Sequence, residues 1–589
     1  MNTIQRLFDI PYYQLKTNPQ DVMFSTKING KWTAVSTQEF IDKVNATSRG
    51  LIAHGIEPGD KVGLVSSNRV EWNIMDIAIQ QVGAIGVPIY PNISTKDYQY
   101  IFNDAGITLC CTGTDELYEK IKSIQPELPT LKYLFAFDRL EGAPFWEEIA
   151  EKGGEVDHKE VEARMANIKN EDLATMIYTS GTTGNPKGVM LSHNNILSNV
   201  TACIPRIPAH KDSKSLSFLP VCHVYERMLH YLYIRIGCSI YFAESLETIG
   251  DNIREVQPDI FTAVPRLIEK VYAKIIAKGD ELTGIKRSLF FWAVALGEEF
   301  EQEGKSGWYK LKLAIARKLI FSKWKEALGG NVKAIASGAA ALQPRLARIF
   351  MAAEIPILEG YGLTETSPVI SVNCLINGVK FGTVGTVIDG VEVKIAEDGE
   401  ILAKGPNVMM GYYNQPEKTK EVLEDDGWFH TGDIGEMVDG KYLKITDRKK
   451  EIFKTSGGKY IIPQVMENKF KESRFIEQIM VIGEGKKHPA ALIVPQYEFV
   501  QDWLKRKEIK LSDDSNAALI ANQEVIDRIQ EEVDHYNKGF GKFEQIKKFA
   551  LLENEMAVET GELTPTLKLK RKIILEIHKA KVNEIYGDE

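Results

Sequence analysis

The chain has 589 residues, more than one hydrophobic core usually serves, so we expect a large domain and at least one smaller one. Hydrophobic residues make up 44% and charged residues 26%, a globular balance that excludes disordered and fibrous classes. The net charge of -9 argues against broad nucleic-acid binding, although a locally basic cleft would still suit a phosphorylated ligand.

Cysteine usage and the lack of long apolar runs indicate the compartment. The six cysteines follow no metal-site spacing and suggest no disulfide framework: Cys110, Cys111, Cys203, Cys222, Cys238 and Cys374. We therefore expect a reducing cytoplasm. The N-terminal stretch lacks a basic segment followed by an apolar one, so no secretory signal is predicted. No run reaches the roughly 18 apolar residues of a membrane span, which predicts a soluble or peripheral protein.

Strands and helices alternate from the N-terminal region onwards. KVGLVS (61–66) predicts a buried strand, residues 70–82 an amphipathic helix, and AIGVPIY (84–90) the next strand. Further strands are predicted over 239–244, 259–265 and 332–338. Because such alternation favours a mostly parallel sheet covered by helices, the large domain is predicted to be α/β.

The pattern changes twice in the second half of the chain. From about Phe381, short strands with glycine-rich turns predict a small antiparallel or barrel-like β subdomain over about 381–447. Beyond it, strands and charged helices predict a compact α+β unit. We therefore expect an N-terminal domain over 1–447 and a smaller C-terminal domain over 448–589.

A basic stretch runs from Trp308 to Lys325, with six basic residues and no acidic one. Such a run is typical of a helix that rests on an anionic membrane. On a helical wheel, however, Ile315 falls on one face while Leu313 and Trp324 fall nearly opposite. Since a membrane-surface helix has one apolar face, the pattern favours packing between neighbouring elements.

The most informative segment is MIYTSGTTGNPKGVMLSH (176–193), an apolar strand and then a loop that closes on Lys187. Glycines permit close backbone approach, hydroxyls and amides donate to phosphate oxygens, and lysine supplies a mobile charge. A Walker A loop needs Gly-Lys-Ser/Thr, but here Pro186 precedes Lys187 and Gly188 follows it. The segment thus predicts a phosphate loop and disfavours a P-loop ATPase.

This segment resembles the signature of the AMP-binding, acyl-adenylate-forming superfamily, which includes acyl-CoA synthetases, luciferases and peptide-synthetase adenylation domains. Further motifs follow in the family's order: SGAAAL (337–342), ILEGYGLTETSP (357–368), GWFHTGDIG (427–435), DRKKEIFKTSGGKYI (447–461) and GELTPTLKLKRK (561–572). The resemblance implies a large α/β domain with a smaller mobile lid domain. It also implies ATP, Mg²⁺ and coenzyme A, used in an adenylation followed by a thioester-forming step.

The resemblance implies a role for each motif at the nucleotide. The β- and γ-phosphates would be held by Thr179, Ser180, Gly181, Thr182, Thr183, Gly184 and Lys187. Thr364 would contact the α-phosphate, and Glu365 would hold Mg²⁺, since a carboxylate is a suitable hard ligand. The nucleotide, with its adenine against Tyr361, would further be lined by Ser337, Gly338, Ala339, Glu359, Gly360 and Gly362. Ala339 and Ala341 replace the Gly and Pro that are frequent in this family.

The ribose and the two half-reactions depend on residues of the later motifs. Asp433 resembles the carboxylate that accepts both ribose hydroxyls, and Arg448 resembles the family's second ribose contact. Lys568, rather than Lys570, matches the adenylation lysine. The implied hinge of the C-terminal domain is Lys450, after whose rotation Lys454 would face the site for thioester formation.

FLPVCHVYERM (218–228) resembles the long-chain acyl-CoA synthetase form of a central motif. His223 would lie near the acyl carboxylate as a positioning residue, and Glu226 and Arg227 mark the subgroup. The helical insertion at about 274–330 also resembles that subgroup. The implied activity is that of an AMP-forming long-chain fatty acid–CoA ligase, with fatty acid, ATP and coenzyme A as partners.

Alternatives stay open at this point. They are a fatty-acyl-AMP ligase that loads a carrier protein, an aryl or other carboxylic acid CoA ligase, and a non-catalytic nucleotide-binding scaffold. A scaffold would more naturally lose Glu365 or Lys568, and both are present. Peripheral contact with the inner face of a membrane and a homodimer are also left open.

Overall fold

The computed structural model describes residues 4–179, 185–509, 511, 513, 515–564 and 567–587. Within these ranges the strands are β1 (Phe24–Ile28), β2 (Lys31–Val35), β3 (Lys61–Val65), β4 (Ile85–Ile89), β5 (Ile107–Thr112), β6 (Tyr133–Ala136), β7 (Leu173–Thr179), β8 (Lys187–Ser192), β9 (Lys214–Ser217), β10 (Ser239–Phe242), β11 (Ile260–Ala263), β12 (Ala334–Ser337), β13 (Ile357–Gly362), β14 (Val369–Val372), β15 (Thr386–Val387), β16 (Glu392–Ile395), β17 (Glu400–Lys404), β18 (Gly411–Tyr412), β19 (Phe429–Val438), β20 (Tyr442–Arg448), β21 (Phe453–Lys454), β22 (Tyr460–Ile461), β23 (Ile476–Ile482), β24 (Ala490–Pro495) and β25 (Lys548–Leu551).

The α-helices of the same ranges are α1 (Asp9–Thr17), α2 (Thr37–Ala53), α3 (Val70–Gln81), α4 (Thr95–Ala105), α5 (Asp115–Ile124), α6 (Glu147–Lys152), α7 (His158–Asn167), α8 (His193–Cys203), α9 (Val224–Ile236), α10 (Ile249–Val256), α11 (Pro265–Asp280), α12 (Gly284–Glu298), α13 (Gly307–Ala316), α14 (Ser322–Ala327), α15 (Pro344–Ala352), α16 (Pro416–Lys420), α17 (Pro463–Phe470), α18 (Tyr497–Arg506), α19 (Asn516–Ala521), α20 (Gln523–Asn537), α21 (Arg571–Ile577) and α22 (Lys579–Tyr586). A short π-helix (Arg317–Phe321) joins α13 to α14, and 3₁₀ turns include Thr364–Thr366.

Two large sheets build the N-terminal part. One has thirteen strands in the order β16-β17-β19-β20-β15-β14-β13-β12-β11-β9-β10-β1-β2, and the other has seven in the order β18-β8-β7-β4-β3-β5-β6. The run from β1 through β10, β9, β11 and β12 to β13 is parallel, as are β4, β3, β5 and β6. Helices cover these strands, so the predicted α/β class is confirmed.

The predicted short strands after residue 381 are present and antiparallel. They continue the thirteen-stranded sheet, because β15 pairs with β14 on one side and with β20 on the other. The C-terminal part is a smaller α+β unit around β23, β24 and β25, with β24 and β25 parallel. The thirteen-stranded sheet therefore extends from the parallel core to β19 and β20, which contain the predicted ribose residues Asp433 and Arg448.

The predicted helix after β3 is present as α3, but its amphipathic character is wrong. Nearly all of α3 is buried, because it packs against α2, α7, β1 and β4. Its polar positions have buried partners: Asp76 pairs with Arg227 at 2.5 Å, and Gln80 donates to Tyr231 at 2.8 Å. The polar residues that suggested a solvent face therefore belong to a buried network.

The expectation for residues 308–325 is also wrong. Leu313, Phe321 and Trp324 are buried, but Trp308 and Ile315 on the opposite face are 66% and 45% exposed. The stretch therefore packs on one side only. Among the described residues, no helix combines the length and apolar character needed to cross a bilayer.

Candidate active site

The predicted phosphate loop lies between two antiparallel strands. Thr179, the last residue of β7, pairs across the hairpin with Lys187, the first residue of β8. This register brings both ends of the loop together and holds Lys187 at its mouth. The other predicted phosphate ligands lie outside the described residues; these are Ser180, Gly181, Thr182, Thr183 and Gly184.

Tyr412, which was not predicted from the sequence, links Lys187 to Glu365. The Lys187 Nζ lies 4.5 Å from the centroid of the Tyr412 ring, whose hydroxyl donates to Glu365 Oε1 at 2.9 Å. Tyr412 reaches this place because β18 pairs with β8. Burial lowers the pKa of Lys187, with Lys418 and Lys450 adding repulsion. The three side chains thus form one cluster at the loop.

Glu365 lies in a 3₁₀ turn that follows β13, next to Thr364, which is buried. The backbone at Gly362, before the turn, lies very close to the backbone at Pro368, after it. A Cβ at residue 362 would lie 1.7 Å from the carbonyl oxygen of Pro368, so only glycine fits there. The backbone of the turn is anchored by Met409, whose N–H donates to the Glu365 carbonyl at 2.8 Å. Glu365 therefore lies in a turn whose backbone is fixed by hydrogen bonds.

The predicted ribose residues face each other on adjacent strands. Asp433 in β19 pairs in register with Arg448 in β20, and their side chains approach to 3.4 Å. The Tyr361 hydroxyl donates to the other Asp433 oxygen at 2.7 Å. Burial raises the pKa of Asp433, while Arg448, Tyr361 and Lys568 oppose that effect by stabilising the carboxylate. Both Asp433 oxygens thus have partners that fix the carboxylate in place.

The predicted adenine loop begins where β12 ends, beside β13. Ser337 pairs in register with Glu359, and a Cβ on Gly338 would come within 3.5 Å of the Gly360 carbonyl. Ala339 has φ +70°, a left-handed conformation that costs a non-glycine residue about 1–2 kcal/mol. This explains why glycine is frequent at that place in the family. Burial raises the pKa of Glu359 to about 8.

Lys568 reaches this cluster from the C-terminal part of the chain. Burial, then repulsion from Arg448, lowers the pKa of the half-buried Lys568 to about 8, while Asp433, Glu451 and Glu365 favour its charged form. The neighbouring Lys570 begins α21 instead. The structure therefore places Lys568 within electrostatic reach of both Glu365 and Asp433.

His223 is close enough to Lys568 for the charge of that lysine to act on it. It caps α9, and its Nδ1 accepts the backbone N–H of Tyr225 at 3.2 Å, so the neutral ring carries its proton on Nε2. Burial and the nearby Lys568 lower the pKa of His223 to about 4. Near neutral pH this imidazole is therefore an uncharged donor.

Glu226 and Arg227, the two residues that mark the subgroup, contact other buried side chains of the protein. Glu226 accepts from Ser217 at 2.7 Å and from Thr262 at 2.5 Å, and Arg227 forms the buried pair with Asp76. Both residues are almost fully buried. They hold α9, and with it His223, against the strands below.

Two predicted residues are exposed, Lys454 apart from the cluster and Lys450 near enough to Lys187 for their charges to repel. Lys454 in β21 is exposed, with its Nζ 4.5 Å from the Tyr460 ring centroid. Lys450 is exposed just beyond β20. In the described part of the chain, no group of three or more His, Cys, Asp or Glu side chains could hold a metal ion by itself.

The C-terminal unit is held against helices α11 and α15 of the N-terminal part. Arg266 forms an ion pair with Glu477 and also donates to its carbonyl at 3.0 Å, and Arg474 pairs with Asp280. Arg345 donates to the carbonyl of residue 472 at 3.1 Å. These contacts hold the unit in the orientation that brings Lys568 to Asp433.

The sequence model of the AMP-binding enzyme family matches residues 13–413, and that of the AMP-binding enzyme C-terminal domain matches residues 450–589. This chain belongs to the AMP-binding enzyme family. The long-chain-fatty-acid–CoA ligase FadD15 of Mycobacterium bovis is 33% identical to this AMP-binding enzyme over 98% of the chain and 96% of its own length. The human long-chain-fatty-acid–CoA ligase 6 is 31% identical over 94% and 82%.

Solved structures agree on the fold. The adenylation domain of a carboxylate reductase from Mycobacterium chelonae superposes with a TM-score of 0.77 at 20% identity, covering 100% of this enzyme and 92% of that chain. A fatty acyl CoA synthetase from Mycobacterium tuberculosis gives a TM-score of 0.64 at 20% identity, covering 98% of both chains. At these identities the likeness concerns the fold alone.

Proposed function

We propose that this AMP-binding enzyme activates a long-chain fatty acid with ATP and transfers the acyl group to coenzyme A, releasing AMP and pyrophosphate. The observation that carries the proposal is the buried Asp433, held by Arg448 at 3.4 Å and Tyr361 at 2.7 Å, within electrostatic reach of Lys568, which also acts on Glu365 and His223. The names of relatives that match over nearly the full chain support the long-chain substrate and the coenzyme A acceptor.

In the first step a carboxylate oxygen attacks the α-phosphorus of ATP, and the bond to the bridging oxygen breaks to release pyrophosphate. Asp433 and Arg448 would fix the ribose, and Thr364 would contact the α-phosphate. Lys568 would bring its cation to the oxygens where negative charge gathers in the transition state. His223, neutral near pH 7, would donate from Nε2 to the attacking carboxylate and orient it.

The phosphates of ATP would lie at the loop between Thr179 and Lys187. Glu365 suits Mg²⁺ because its carboxylate is a hard oxygen ligand, and a site with few protein ligands is usual when phosphates and water complete the shell. Mg²⁺ would supply neutralisation of the pyrophosphate charge as it leaves. Tyr412 would orient the Glu365 carboxylate through its hydrogen bond.

In the second step the sulfur of coenzyme A attacks the acyl carbon, and the carbon–oxygen bond to AMP breaks. We propose that residues 448–589 act as a lid that turns about Lys450, so that Lys454 replaces Lys568 at the site of residues 1–447. The exposed position of Lys454 and the family matches to either side of residue 450 support this division. The β subdomain over 381–447 would contribute Asp433 to this site and would end just before the hinge.

The six cysteines are buried and free, which supports our proposal of a reducing, cytoplasmic location. A homodimer stays a prediction, which sedimentation velocity would test.

The test measures AMP, pyrophosphate and acyl-CoA from purified protein with ATP, Mg²⁺ and fatty acids of graded length, with and without coenzyme A. Long chains that give acyl-CoA only with coenzyme A would support the proposal, with Lys568→Ala as the inactive control. An acyl adenylate that coenzyme A cannot discharge would indicate a carrier-protein acceptor, and a preference for aryl acids would indicate an aryl CoA ligase. AMP release with none of these acids would overturn the proposal.

A further inference from the structure

A row of large apolar side chains is exposed along α13 and the π-helix that follows it. Trp308, Leu311, Ile315 and Leu319 are 66%, 52%, 45% and 47% exposed, and we refer to these four residues as the α13 ridge. Their spacing puts them on one face of a helix, over a length of about 16 Å. Large apolar side chains gathered on one exposed face usually mark a binding surface.

The opposite face of the same segment is firmly packed. Leu313, Phe321 and Trp324 are buried in the core that also contains α12 and α15. The Tyr309 hydroxyl donates to the Leu296 carbonyl at 2.7 Å, and Arg317 Nε donates to the Ala352 carbonyl at 2.9 Å. Because these contacts anchor the helix without the ridge, folding does not require the ridge residues to be apolar.

The charge around the ridge is positive. Lys310, Lys318 and Lys323 are exposed, Lys312 lies over the Trp308 ring at 5.5 Å, and no acidic residue occurs from 307 to 325. This concentration stands out in a chain with a net charge of -9. An apolar face with tryptophan, bordered by lysines, is the pattern of helices that lie in the interface of an anionic bilayer.

The neighbouring helix α12 has the same character. It packs against α13 and exposes Ile285 by 79% and Leu289 by 37%, and residues 284–297 contain Lys286 and Arg287 but no acidic residue. Acidic side chains border this surface: Asp280 pairs with Arg287 at 3.1 Å, Glu354 pairs with Arg317 at 3.5 Å, and four glutamates lie within residues 298–303. The basic and apolar surface therefore extends across two packed helices.

We propose that the α13 ridge docks this enzyme on the surface of an anionic lipid bilayer, with the ridge among the acyl chains near the headgroups. Charge complementarity favours this occupant over a second copy of the chain, because a symmetric dimer through the ridge would bring two lysine-rich faces together. The inference goes beyond the proposed function and is tested without ATP, fatty acid or coenzyme A, so the two fail independently.

The test is co-sedimentation of the full chain with vesicles of equal parts phosphatidylglycerol and phosphatidylcholine, against vesicles of phosphatidylcholine alone. The parent is expected to bind the anionic vesicles, and less so as salt is raised. The double variant Ile315→Ser with Leu319→Ser should lower the partition constant at least about tenfold. Matched controls are Leu246→Ser and Ile376→Ser, exposed apolar residues elsewhere at 71% and 78%, which should bind like the parent.

A second variant separates charge from apolar contact. Lys310→Glu with Lys318→Glu should lower binding to the anionic vesicles by at least about tenfold while thermal unfolding stays unchanged, since both side chains are exposed. Equal binding by the parent and the Ile315/Leu319 variant would overturn the proposal. So would a parent dimer that this variant dissociates, or parent binding that does not distinguish the two kinds of vesicle.

Discussion

The lowered pKa of Lys568 predicts how adenylation depends on pH. With a pKa of about 8, the ammonium is about nine-tenths charged near pH 7 and about one-tenth charged near pH 9. If the cation stabilises the transition state, kcat/KM for adenylation should fall about tenfold over this interval and then tenfold per pH unit. An ordinary lysine, with a pKa of 10.5, would give an almost flat profile over the same range.

The assay is ATP–pyrophosphate exchange at limiting ATP, at constant ionic strength, with the parent and two variants. Lys568→Arg should be slower but should lose the alkaline fall, because a guanidinium stays charged throughout. Lys570→Arg, two residues away at the start of α21, should keep the parent's profile.

Two results would refute this reasoning. One is a parent profile that is flat up to pH 9. The other is an alkaline fall that persists unchanged in Lys568→Arg. Glu359 would then be the group to examine, because its pKa is raised to about 8 and it gains rather than loses charge over the same interval.

Three further predictions concern the ribose carboxylate, the second half-reaction and stability. Asp433→Asn should raise KM for ATP at least about tenfold, since it removes the charge that pairs with Arg448; ATP titrations of pyrophosphate release check this. Lys454→Ala should leave pyrophosphate exchange near the parent value while acyl-CoA formation falls at least about tenfold, measured by rapid quench. Arg227→Met should destabilise the fold by about 3–5 kcal/mol in urea, because it leaves Asp76 buried without its partner.

Each of these has a control or a contradicting outcome. Lys122→Ala removes an exposed ion pair with Glu119 and should change stability by less than about 1 kcal/mol. An Arg227→Met protein as stable as the parent would mean that the buried pair is not needed. Equal loss of both half-reactions in Lys454→Ala would contradict the proposed lid rotation, and an unchanged KM in Asp433→Asn would contradict the ribose assignment.

The sequence predicted the α/β class because buried parallel strands are continuous apolar runs, as in β3 and β4. The prediction that α3 has a solvent-exposed face was wrong. An aspartate such as Asp76 suggests exposure, and its buried partner Arg227 lies 151 residues away in the sequence. The helical wheel for residues 308–325 correctly separated the apolar face with Leu313 and Trp324 from the apolar face with Trp308 and Ile315. It did not reveal that only the face with Leu313 has a neighbour to pack against.

At the site, the motifs predicted residues that the fold brings together from distant places, including Asp433 and Lys568. Tyr412 was missed, because GYYN reads as an ordinary strand and turn. Its role depends on β18 joining the same sheet as the phosphate loop, which is a long-range pairing. A tyrosine at the end of the apolar run VMMGY, 47 residues after Glu365, was the only local signal, and it does not indicate this contact by itself.

The register between β19 and β20 has a consequence for how variants of this enzyme should be interpreted. Asp433 and Arg448 are cross-strand partners, and Arg448 is the last residue of its strand before the turn that contains Lys450. The proposed ribose contact and the proposed hinge of the lid thus share one short piece of backbone. On the proposed roles, a substitution that weakens the ribose contact should also loosen the hinge, so we expect affinity for ATP and the rate of lid movement to change together.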